Sequence, residues 1–573
     1  MSFLDDIFVA LDKARDTPIL QEIRDGQLTS VSGGELLDMV GRARATLSGR
    51  GLKPGDRCAL LAHNSIRWVA MDLAILAEGL IVVPLYARQA TDELVAMMKD
   101  CAPALICCGD DGLRADVVES WPEAPAQVLF DEIFAGAASS RSRADISDSD
   151  PVTIIYTSGT SGEPKGVVLN SGNLRHMLRC TSGRLELLMQ TREGGPVSKG
   201  KGSEAQERVF HYLPFCFAGS WIMLLTCLGR GSLLTLNTDL SKLSGDMRAA
   251  APDYFLNVPA LLERMRKAVD EQLWKTGGII QFLYARAKAA WAGRNPAVSS
   301  QNADRQAGDR PKLRIGDHFF LGLANLLVFP TVRKKMIGEN LKALICGSAP
   351  LGVETQLYFT MLGIPVLQVY GLTETTAICT MDDPRRVEPG CVGPAIEGVE
   401  MRLGENDEIM VRGPNIFPGY WNRPEETAKV LHDGWFHTGD QGEVNKQGNW
   451  RVVGRIKNLI VLGSGHNVAP EPIEEAILKA LPGGQQVVVV GNGRGFLCAI
   501  VTGSVSSGQV EAALDNVNRD LPHYKQVRGF YIHAEPFSIE NGLMTANGKL
   551  KRDLIAQRLR AEIEELYGRR QAS

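Results

Sequence analysis

The stretch IIYTSGTSGEPKGVV, residues 154–168, places a buried-strand pattern directly before a loop rich in glycine and hydroxyl side chains. Glycines let backbone N–H groups converge on anionic oxygens, hydroxyl groups donate hydrogen bonds, and a lysine neutralises phosphate charge. The residues that fit these tasks are Thr157, Ser158, Gly159, Thr160, Ser161, Gly162 and Lys165. The stretch therefore predicts a polyphosphate-binding loop; a mobile Ser/Gly turn is the alternative interpretation.

On either side of this loop, short apolar runs alternate with helical patterns. CALLAHN, IVVPLYA, ALICC, VTIIYT, LKALICG and PVLQVYG predict strands, with helices expected around 68–78 and 91–100. This alternation is typical of βαβ units in a parallel sheet. After about Arg455 a smaller unit begins with its own strands, QQVVVVG, FLCAIVTG and VRGFYIH. We therefore expect an α/β chain with a large N-terminal domain of several subdomains, residues 1–455, whose parallel and mixed sheets are flanked by helices. A small mobile α+β domain, residues 456–573, is expected to follow.

Composition excludes several functional classes. The 573 residues carry 62 basic and 66 acidic side chains, a net charge of -4, which gives no electrostatic basis for nucleic-acid binding. The 11 cysteines are scattered without metal-ligand spacing, which indicates reduced thiols in a cytoplasmic protein. The N-terminus does not resemble a secretory signal. The longest uncharged stretch lies between Arg208 and Arg230, but Pro214, Gly219 and His211 interrupt it, so a buried strand and helix are expected rather than a membrane span.

Four further strings occur in order along the chain: GSAP (347–350), VYGLTETT (369–376), GWFHTGD (434–440) with GRIKNLIVLGSGHNVAPEPIE (454–474), and LMTANGKLKR (543–552). Together with the TSGTSGEPKG loop, these strings resemble the motifs of the adenylate-forming superfamily, which contains acyl-CoA synthetases, peptide-synthetase adenylation domains and firefly-type luciferases. The resemblance spans most of the chain.

The resemblance implies a nucleotide site and a catalytic lysine. It places Tyr370 and the backbone groups of Ser348 and Ala349 against adenine, Thr373 on phosphate, Glu374 on Mg²⁺, Asp440 on the ribose, and Arg455 on the ribose or the phosphate. It also assigns Gly347, Pro350 and Gly371 to the nucleotide site. By the same resemblance Lys549 bridges the substrate carboxylate and the α-phosphate. Taken alone, each of these residues has an ordinary structural interpretation: a helix cap at the TET turn, a surface ion pair at Asp440 and Arg455, and a surface lysine at Lys549.

The resemblance also implies two catalytic states related by a hinge at Lys457. In the second state Gly463, Ser464, Gly465 and His466 would line a coenzyme A tunnel. Phe217 and Trp221 match the acyl-pocket motif, Trp221 as a gate or alternatively as a core residue. The chain departs from the common pattern at Phe217, where many relatives carry His, at Asn458 in place of Asp, and at Asn170-Ser171 in place of Thr-His.

These features predict that ATP, with Mg²⁺, activates a medium- or long-chain fatty acid to an acyl adenylate, which coenzyme A then converts to acyl-CoA. Two alternatives remain open: transfer to a carrier protein, and a catalytically silent nucleotide-binding homologue. The expected partners are therefore a fatty acid, ATP and coenzyme A, with an acyl carrier protein as the rival acceptor. We expect neither a nucleic-acid partner nor a transmembrane segment. Peripheral contact with a membrane is compatible with these expectations.

Overall fold

The protein is described from a computed structural model that covers residues 2–24, 26–139, 141–158, 164–190, 206–294, 315–338, 340–545 and 548–569. Its large N-terminal part contains two extended sheets flanked by helices. The first has seven strands in the order β17 (Gly419–Tyr420), β8 (Pro164–Asn170), β7 (Pro151–Ser158), β4 (Ile81–Leu85), β3 (Arg57–Leu61), β5 (Leu105–Cys108) and β6 (Gln127–Leu129). The predicted βαβ strands β3, β4, β5 and β7 run parallel, whereas β7, β8 and β17 pair antiparallel.

The second large sheet has eight strands. Their order is β14 (Thr380–Met381), β13 (Val366–Tyr370), β12 (Ala343–Cys346), β11 (Tyr254–Asn257), β9 (Arg208–His211), β10 (Leu233–Asn237), β1 (Pro18–Arg24) and β2 (Gln27–Ser32). The strands from β13 to β1 run parallel, and the end strands β14 and β2 are antiparallel.

Three smaller sheets complete the chain. One contains β15 (Glu400–Leu403), β16 (Glu408–Arg412), β19 (Trp435–Val444) and β18 (Leu431–His432), with β20 (Trp450–Arg455) paired to β19. A two-stranded hairpin joins β21 (Ile460–Val461) to β22 (Asn467–Val468), and a three-stranded sheet contains β23 (Gly484–Val490), β24 (Leu497–Gly503) and β25 (Val527–His533).

Helices cover the sheets. In the described part of the chain they are α1 (Phe3–Lys13), α2 (Gly33–Ser48), α3 (Ile66–Ala77), α4 (Thr91–Cys101), α5 (Asp111–Ser120), α6 (Phe130–Phe134), α7 (Ser171–Gln190), α8 (Ala218–Arg230), α9 (Leu243–Ala250), α10 (Pro259–Thr276), α11 (Gly278–Arg294), α12 (Ile315–Leu327), α13 (Phe329–Met336), α14 (Val353–Met361), α15 (Pro424–Val430), α16 (Pro470–Ala480), α17 (Ser507–Asn518), α18 (Arg552–Arg558) and α19 (Arg560–Arg569).

The sequence explains why these elements form. Strands β4 and β5 are buried at every position because helices cover both faces of the sheet, so they read as continuous apolar runs. Helix α3 begins where the Ser65 hydroxyl accepts the N–H of Trp68 at 3.1 Å, and every residue of the helix except Arg67 is buried. The predicted alternation of strands and helices in this region is confirmed.

The C-terminal strands also form as predicted. Buried apolar residues between positions 460 and 527 form a separate core, which lies between helices α16 and α17 and the three-stranded sheet. A second cluster, from Val488 to Leu559, packs the other side of that sheet against α18. This part of the chain therefore builds its own core.

The uncharged stretch between Arg208 and Arg230 lies in strand β9 and helix α8, as expected for a buried segment. Within the described residues, no helix combines the length and apolarity that a membrane crossing requires. All eleven cysteines are free thiols, and Cys180 alone is partly exposed.

Candidate active site

The predicted site residues follow the carboxyl ends of two neighbouring parallel strands, β12 and β13, where ligands bind in such sheets. Strand β12 leads into the exposed GSAP turn, in which Ser348 has a positive φ of 72°. Gly347 sits so close to β13 that a Cβ atom there would lie 2.6 Å from Val369 Cγ2. Only glycine allows this approach, so the GSAP turn lies directly beside the strand that ends at Tyr370.

Tyr370 and Arg455 both hold the carboxylate of Asp440. The Tyr370 hydroxyl donates to Asp440 Oδ2 at 2.8 Å, and Arg455 Nε lies 2.8 Å from Oδ1. Asp440 and Arg455 are direct cross-strand partners on β19 and β20, and the Asp440 side chain is only 5% exposed. Burial raises the pKa of Asp440, and Arg455 opposes that shift. An aromatic ring, a carboxylate and a guanidinium thus meet in one cluster.

Tyr420 joins two predicted site residues that lie far apart in sequence. Its hydroxyl donates to Glu374 Oε1 at 2.9 Å, and Lys165 Nζ lies 5.3 Å from its ring centroid, within cation–π range. Burial is the largest cause that raises the pKa of Tyr420, followed by the charge of Glu374, so the phenol stays a hydrogen-bond donor. Lys165 and Glu374 therefore face the same small volume.

Lys165 already has a carboxylate partner in this structure. Its Nζ lies 2.5 Å from Glu426 Oε2, and Lys429 pairs with the other oxygen of the same carboxylate. The hydrogen bond from Lys165 is the largest cause that lowers the pKa of Glu426 to about 2. An incoming polyphosphate would compete with Glu426 for the Lys165 ammonium group.

Lys549 lies on a turn at the edge of the C-terminal part. Its backbone N–H donates to Thr545 Oγ1 at 3.1 Å, and its carbonyl accepts from Thr545 N at 2.8 Å. Lys549 is exposed at the protein surface. Nearby protein atoms exclude part of the water around its ammonium group, and this desolvation lowers the pKa of Lys549; the positive charge of Arg455 lowers it further, and Asp440 and Glu374 act in the opposite direction. Lys549 is thus within electrostatic reach of both carboxylates.

Asn415, which the sequence analysis missed, holds the turn that follows Tyr370. Its side-chain amide nitrogen donates to the carbonyls of Thr375 at 3.3 Å and Ile378 at 3.1 Å, and its backbone carbonyl accepts from Thr376 Oγ1 at 2.7 Å. Glu374 is therefore fixed by a buried side chain from another segment. Asn415 and Tyr420 both lie in GPNIFPGYWN (413–422), where a polar residue between turn-forming and aromatic residues was the available signal.

Several other predicted site residues lie away from this cluster or outside the residues that the structure describes. Gly159, Thr160, Ser161 and Gly162 fall outside the described residues. Within the described part, Gly463, Ser464, Gly465 and His466 form the exposed tip of the β21–β22 hairpin, where His466 stacks on Tyr524 with ring centroids 4.3 Å apart. Lys457 lies on a single 3₁₀ turn, Ile456–Asn458, between the two parts of the chain.

The two acyl-pocket candidates differ in their surroundings. Phe217 is half-buried, with its ring centroid 6.0 Å from that of Tyr86. Trp221 is fully buried in the main core, where its indole N–H donates to Asp72 at 3.0 Å. This environment favours the core interpretation of Trp221 over the gate.

The other departures from the common pattern have local partners. Asn458 donates to Glu471 Oε1 at 2.6 Å. Asn170 exchanges hydrogen bonds with Asn173 at the start of helix α7, with distances of 3.0 and 2.8 Å. Asn458 and Asn170 are therefore accommodated by hydrogen bonds, whereas the buried Ser171 hydroxyl has no hydrogen-bond partner among the described residues.

Two family models together match most of the chain. The model described as "AMP-binding enzyme" matches residues 9–421, and the model of the "AMP-binding enzyme C-terminal domain" matches residues 457–571. The chain belongs to the AMP-binding enzyme family. The prediction of an adenylate-forming enzyme that resembles acyl-CoA synthetases is thereby confirmed, and with it the acid–thiol ligase class.

Among curated relatives, this AMP-binding enzyme is 27% identical to long-chain-fatty-acid–CoA ligase FadD15 of Mycobacterium tuberculosis, with 98% of this chain and 96% of the relative covered. It is 26% identical to the chloroplastic long-chain-fatty-acid–acyl-carrier-protein ligase AEE15 of Arabidopsis thaliana, with 90% and 80% covered.

Among solved structures, ATP-bound MatB from Rhodopseudomonas palustris matches with a TM-score of 0.71 and 23% identity, covering 98% of this chain and 99% of that one. The AMP complex of O-succinylbenzoate coenzyme A synthetase from Bacillus subtilis gives 0.72 and 19%, covering 96% and 98%. These structures confirm the predicted fold class for this AMP-binding enzyme.

Proposed function

We propose that the protein uses ATP to convert a medium- or long-chain fatty acid to its acyl adenylate and then transfers the acyl group to coenzyme A. The observation that carries this proposal is the position of Tyr420, which contacts Lys165 and Glu374 at once. A phosphate-neutralising lysine and a metal-binding carboxylate are thereby held within one volume. Lys549, from the C-terminal part, interacts electrostatically with Glu374 and Asp440.

In the first half-reaction, the nucleotide would lie between the GSAP turn and Asp440. The Asp440 carboxylate suits the paired hydroxyls of a ribose because it accepts two hydrogen bonds, and Tyr370 offers an aromatic face for adenine. Lys165 and the glycine-rich loop would hold the β- and γ-phosphates after Lys165 exchanges Glu426 for phosphate.

Glu374 is the residue that would hold Mg²⁺. A hard cation prefers oxygen ligands and needs few from the protein when a nucleotide supplies the rest, and the Glu374 carboxylate, aligned by Tyr420, fits this donor type. When bound, the ion neutralises phosphate charge as pyrophosphate leaves. Thr373, one residue earlier on the same turn, would donate a hydrogen bond to the α-phosphate.

Lys549 would bring the fatty-acid carboxylate and the α-phosphate of ATP together. The fatty-acid carboxylate attacks the α-phosphorus, the bond to pyrophosphate breaks, and a mixed anhydride with AMP forms. A cation between the carboxylate and the α-phosphate offsets their repulsion as they approach, and it acts mainly in the transition state.

The second half-reaction needs a thiol to reach the anhydride carbonyl past Lys549. We propose that residues 456–573 act as a mobile domain that rotates about Lys457 relative to residues 1–455, withdraws Lys549 and brings Gly463–His466 towards the site. The exposed tip of this hairpin, with Gly465 at φ 83°, supports the proposal because a glycine there allows close approach of a pantetheine arm.

A carrier-protein thiol is the second candidate acceptor. One observation favours considering it: AEE15, a relative over 90% of this chain, is named an acyl-carrier-protein ligase. Both acceptors end in the same phosphopantetheine thiol, so the first half-reaction is common to both.

The first test is pyrophosphate exchange into ATP with saturated fatty acids of graded length, with benzoate and amino acids as controls. We expect exchange with medium or long chains and none with the controls; no exchange with any acid would overturn the proposal. A second assay supplies either coenzyme A or a carrier protein as acceptor. Formation of acyl-CoA supports our first choice, and acyl transfer only to the carrier protein would replace it with the second.

A further inference from the structure

Asp100, in the last turn of helix α4, accepts hydrogen bonds from two other segments of the chain. The Tyr156 hydroxyl on strand β7 donates to Asp100 Oδ2 at 2.6 Å, and Arg423 Nη2 donates to Asp100 Oδ1 at 3.1 Å. The two oxygens of one carboxylate therefore hold β7 and the segment that follows Tyr420 against the end of α4. Neither Asp100 nor Arg423 lies in any of the motifs that identified the nucleotide site.

The position of this aspartate is unfavourable for its own helix. Helix α4 ends at Cys101, and the partial negative charge at a helix C-terminus favours basic rather than acidic side chains. The carbonyls of Cys101 and Ala102 at this end accept from Arg57 Nε at 3.0 Å and from Nη2 at 2.7 Å. Burial is the largest cause that raises the pKa of Tyr156, so the phenol remains a donor to the carboxylate. An acidic residue that is unfavourable locally and paired with distant segments indicates a role outside its helix.

Tyr156 lies beside the point at which strands β7 and β8 bring Lys165 into the site. In the antiparallel pairing of these strands, Tyr156 lies opposite Gly166, and Thr157 lies opposite Lys165. The two strands are in such close contact that a Cβ atom on Gly166 would lie 3.3 Å from Tyr156 Cζ. The hydrogen bond between Asp100 and Tyr156 therefore anchors the strand pair next to Lys165.

The segment that carries Tyr420 is anchored at the same helix end. Arg423 pairs with Asp100 through its guanidinium, and the guanidinium of Arg57 lies 5.6 Å from the centroid of the Trp421 ring, within cation–π range. The Tyr420 hydroxyl in turn donates to Glu374. The end of α4 thus contacts both the strand pair that presents Lys165 and the segment that orients the metal-binding carboxylate.

We infer that Asp100 is a positioning residue that holds Lys165 and the Tyr420–Glu374 pair in register with each other. The inference rests on the proposed function, in which Lys165 neutralises the β- and γ-phosphates and Glu374 binds Mg²⁺. Loss of the Asp100 carboxylate releases both anchors at once. The ammonium group and the metal ligand then no longer match the spacing of a magnesium polyphosphate, and misplaced binding groups lose much of their effect.

The test compares the binding of ATP and AMP to the full chain at a fixed Mg²⁺ concentration by isothermal titration calorimetry. AMP lacks the β- and γ-phosphates, so a defect confined to Lys165 and Glu374 weakens the binding of ATP and not that of AMP. For Asp100→Ala we expect the dissociation constant of ATP to rise about tenfold and that of AMP to change by less than about twofold.

Two further variants separate the contacts of Asp100. Asp100→Asn keeps an amide oxygen for Tyr156 but no charge for Arg423, so it should give a smaller rise that still affects ATP and not AMP. It decides the question if Asp100→Ala lowers the thermal midpoint. Because Tyr156 acts through Asp100, the double variant Asp100→Ala, Tyr156→Phe should bind ATP no more weakly than Asp100→Ala alone.

The matched control is Asp270→Ala on helix α10. Asp270 also accepts from a tyrosine hydroxyl, that of Tyr284, and from a cation, Lys288. Its side chain is 21% exposed, as is that of Asp100. This control should bind both nucleotides like the unchanged protein.

Equal losses of ATP and AMP binding in the Asp100 variants would show a general structural role and overturn the inference. Unchanged ATP binding, an additive effect of Tyr156→Phe, the same loss in Asp270→Ala, or an unchanged protein that binds no ATP would also overturn it. The proposed function fails separately, because it is overturned when no acid supports pyrophosphate exchange even though ATP binding depends on Asp100.

Discussion

At the scale of single residues, the candidate site depends on side chains that position other side chains. Tyr420 keeps Glu374 in one orientation through its hydroxyl and offers its ring to the Lys165 ammonium group. The hydroxyl and the ring can be tested separately, because phenylalanine keeps the ring and removes only the hydrogen bond.

We predict that Tyr420→Phe raises the Mg²⁺ concentration needed for half-maximal acid-dependent pyrophosphate exchange by about 10-fold or more, because loss of a hydrogen bond that orients a metal ligand typically costs that much. The ATP dependence at saturating Mg²⁺ should change less, since the ring still faces Lys165. The measurement is the exchange rate as a function of Mg²⁺ concentration.

The control is Tyr567→Phe, which removes a hydroxyl that donates to the carbonyls of Val490 and Phe496 within the C-terminal part. Its Mg²⁺ dependence should match that of the unchanged protein. An unchanged Mg²⁺ dependence in Tyr420→Phe would show that the hydroxyl does not position the metal ligand.

The limits of sequence reasoning are also clearest at single residues. Residues such as Gly347 and Asp440 were predictable because their motifs follow strands and carry recognisable strings. Tyr420 was not, because it reaches Lys165 only through the antiparallel pairing of the two-residue strand β17 with β8, in which Tyr420 lies opposite Val167. No periodicity reveals a strand that short.

At the scale of elements, a buried carboxyl group links helices α3 and α8. Asp72 accepts the indole N–H of Trp221, and both side chains are fully buried. Burial raises the pKa of Asp72 to about 7, and the hydrogen bond from Trp221 opposes that shift. Between pH 4 and pH 7 the folded protein therefore keeps a proton that the unfolded chain releases, and stability falls as the pH rises through this range.

We predict that Asp72→Asn removes this pH-dependent loss of stability, because a neutral amide can accept the indole N–H without carrying a charge. The variant should gain stability relative to the unchanged protein between pH 4 and pH 7, reaching on the order of 3 kcal/mol above pH 7. Urea denaturation at several pH values measures the effect.

An exposed aspartate on another helix provides the control. Asp116→Asn makes the same chemical change on α5 without burial and should show no such pH-dependent gain. If the stability difference between Asp72→Asn and the unchanged protein is the same at pH 4 and pH 8, Asp72 does not retain its proton.

The sequence predicted individual strands and helices better than it predicted how they are arranged. The runs CALLAHN and IVVPLYA became β3 and β4 because strands covered on both faces are apolar at every position. The sequence did not reveal that β1 would pair with β10 and extend the second sheet, because that contact joins residues such as Leu20 and Leu234, which lie far apart along the chain.

At the scale of the whole molecule, an exposed ion pair joins the two parts of the chain. Lys551 of the C-terminal part lies 3.8 Å from Glu93 of helix α4, with 34% and 48% of the two side chains exposed. An exposed ion pair of this length contributes less than about 1 kcal/mol, so its loss on rotation costs little. The C-terminal part also keeps its own core. Both observations support a rotation about Lys457 between the two half-reactions.

The central claim is that Lys549 serves the first half-reaction and must leave for the second. The most direct test measures both half-reactions in Lys549→Ala, with Lys446→Ala, an exposed lysine on the turn between β19 and β20, as the control. We predict that Lys549→Ala lowers acyl-adenylate formation about 100-fold or more, whereas thioester formation from supplied acyl adenylate changes by less than about twofold. An equal loss of both half-reactions would contradict the account.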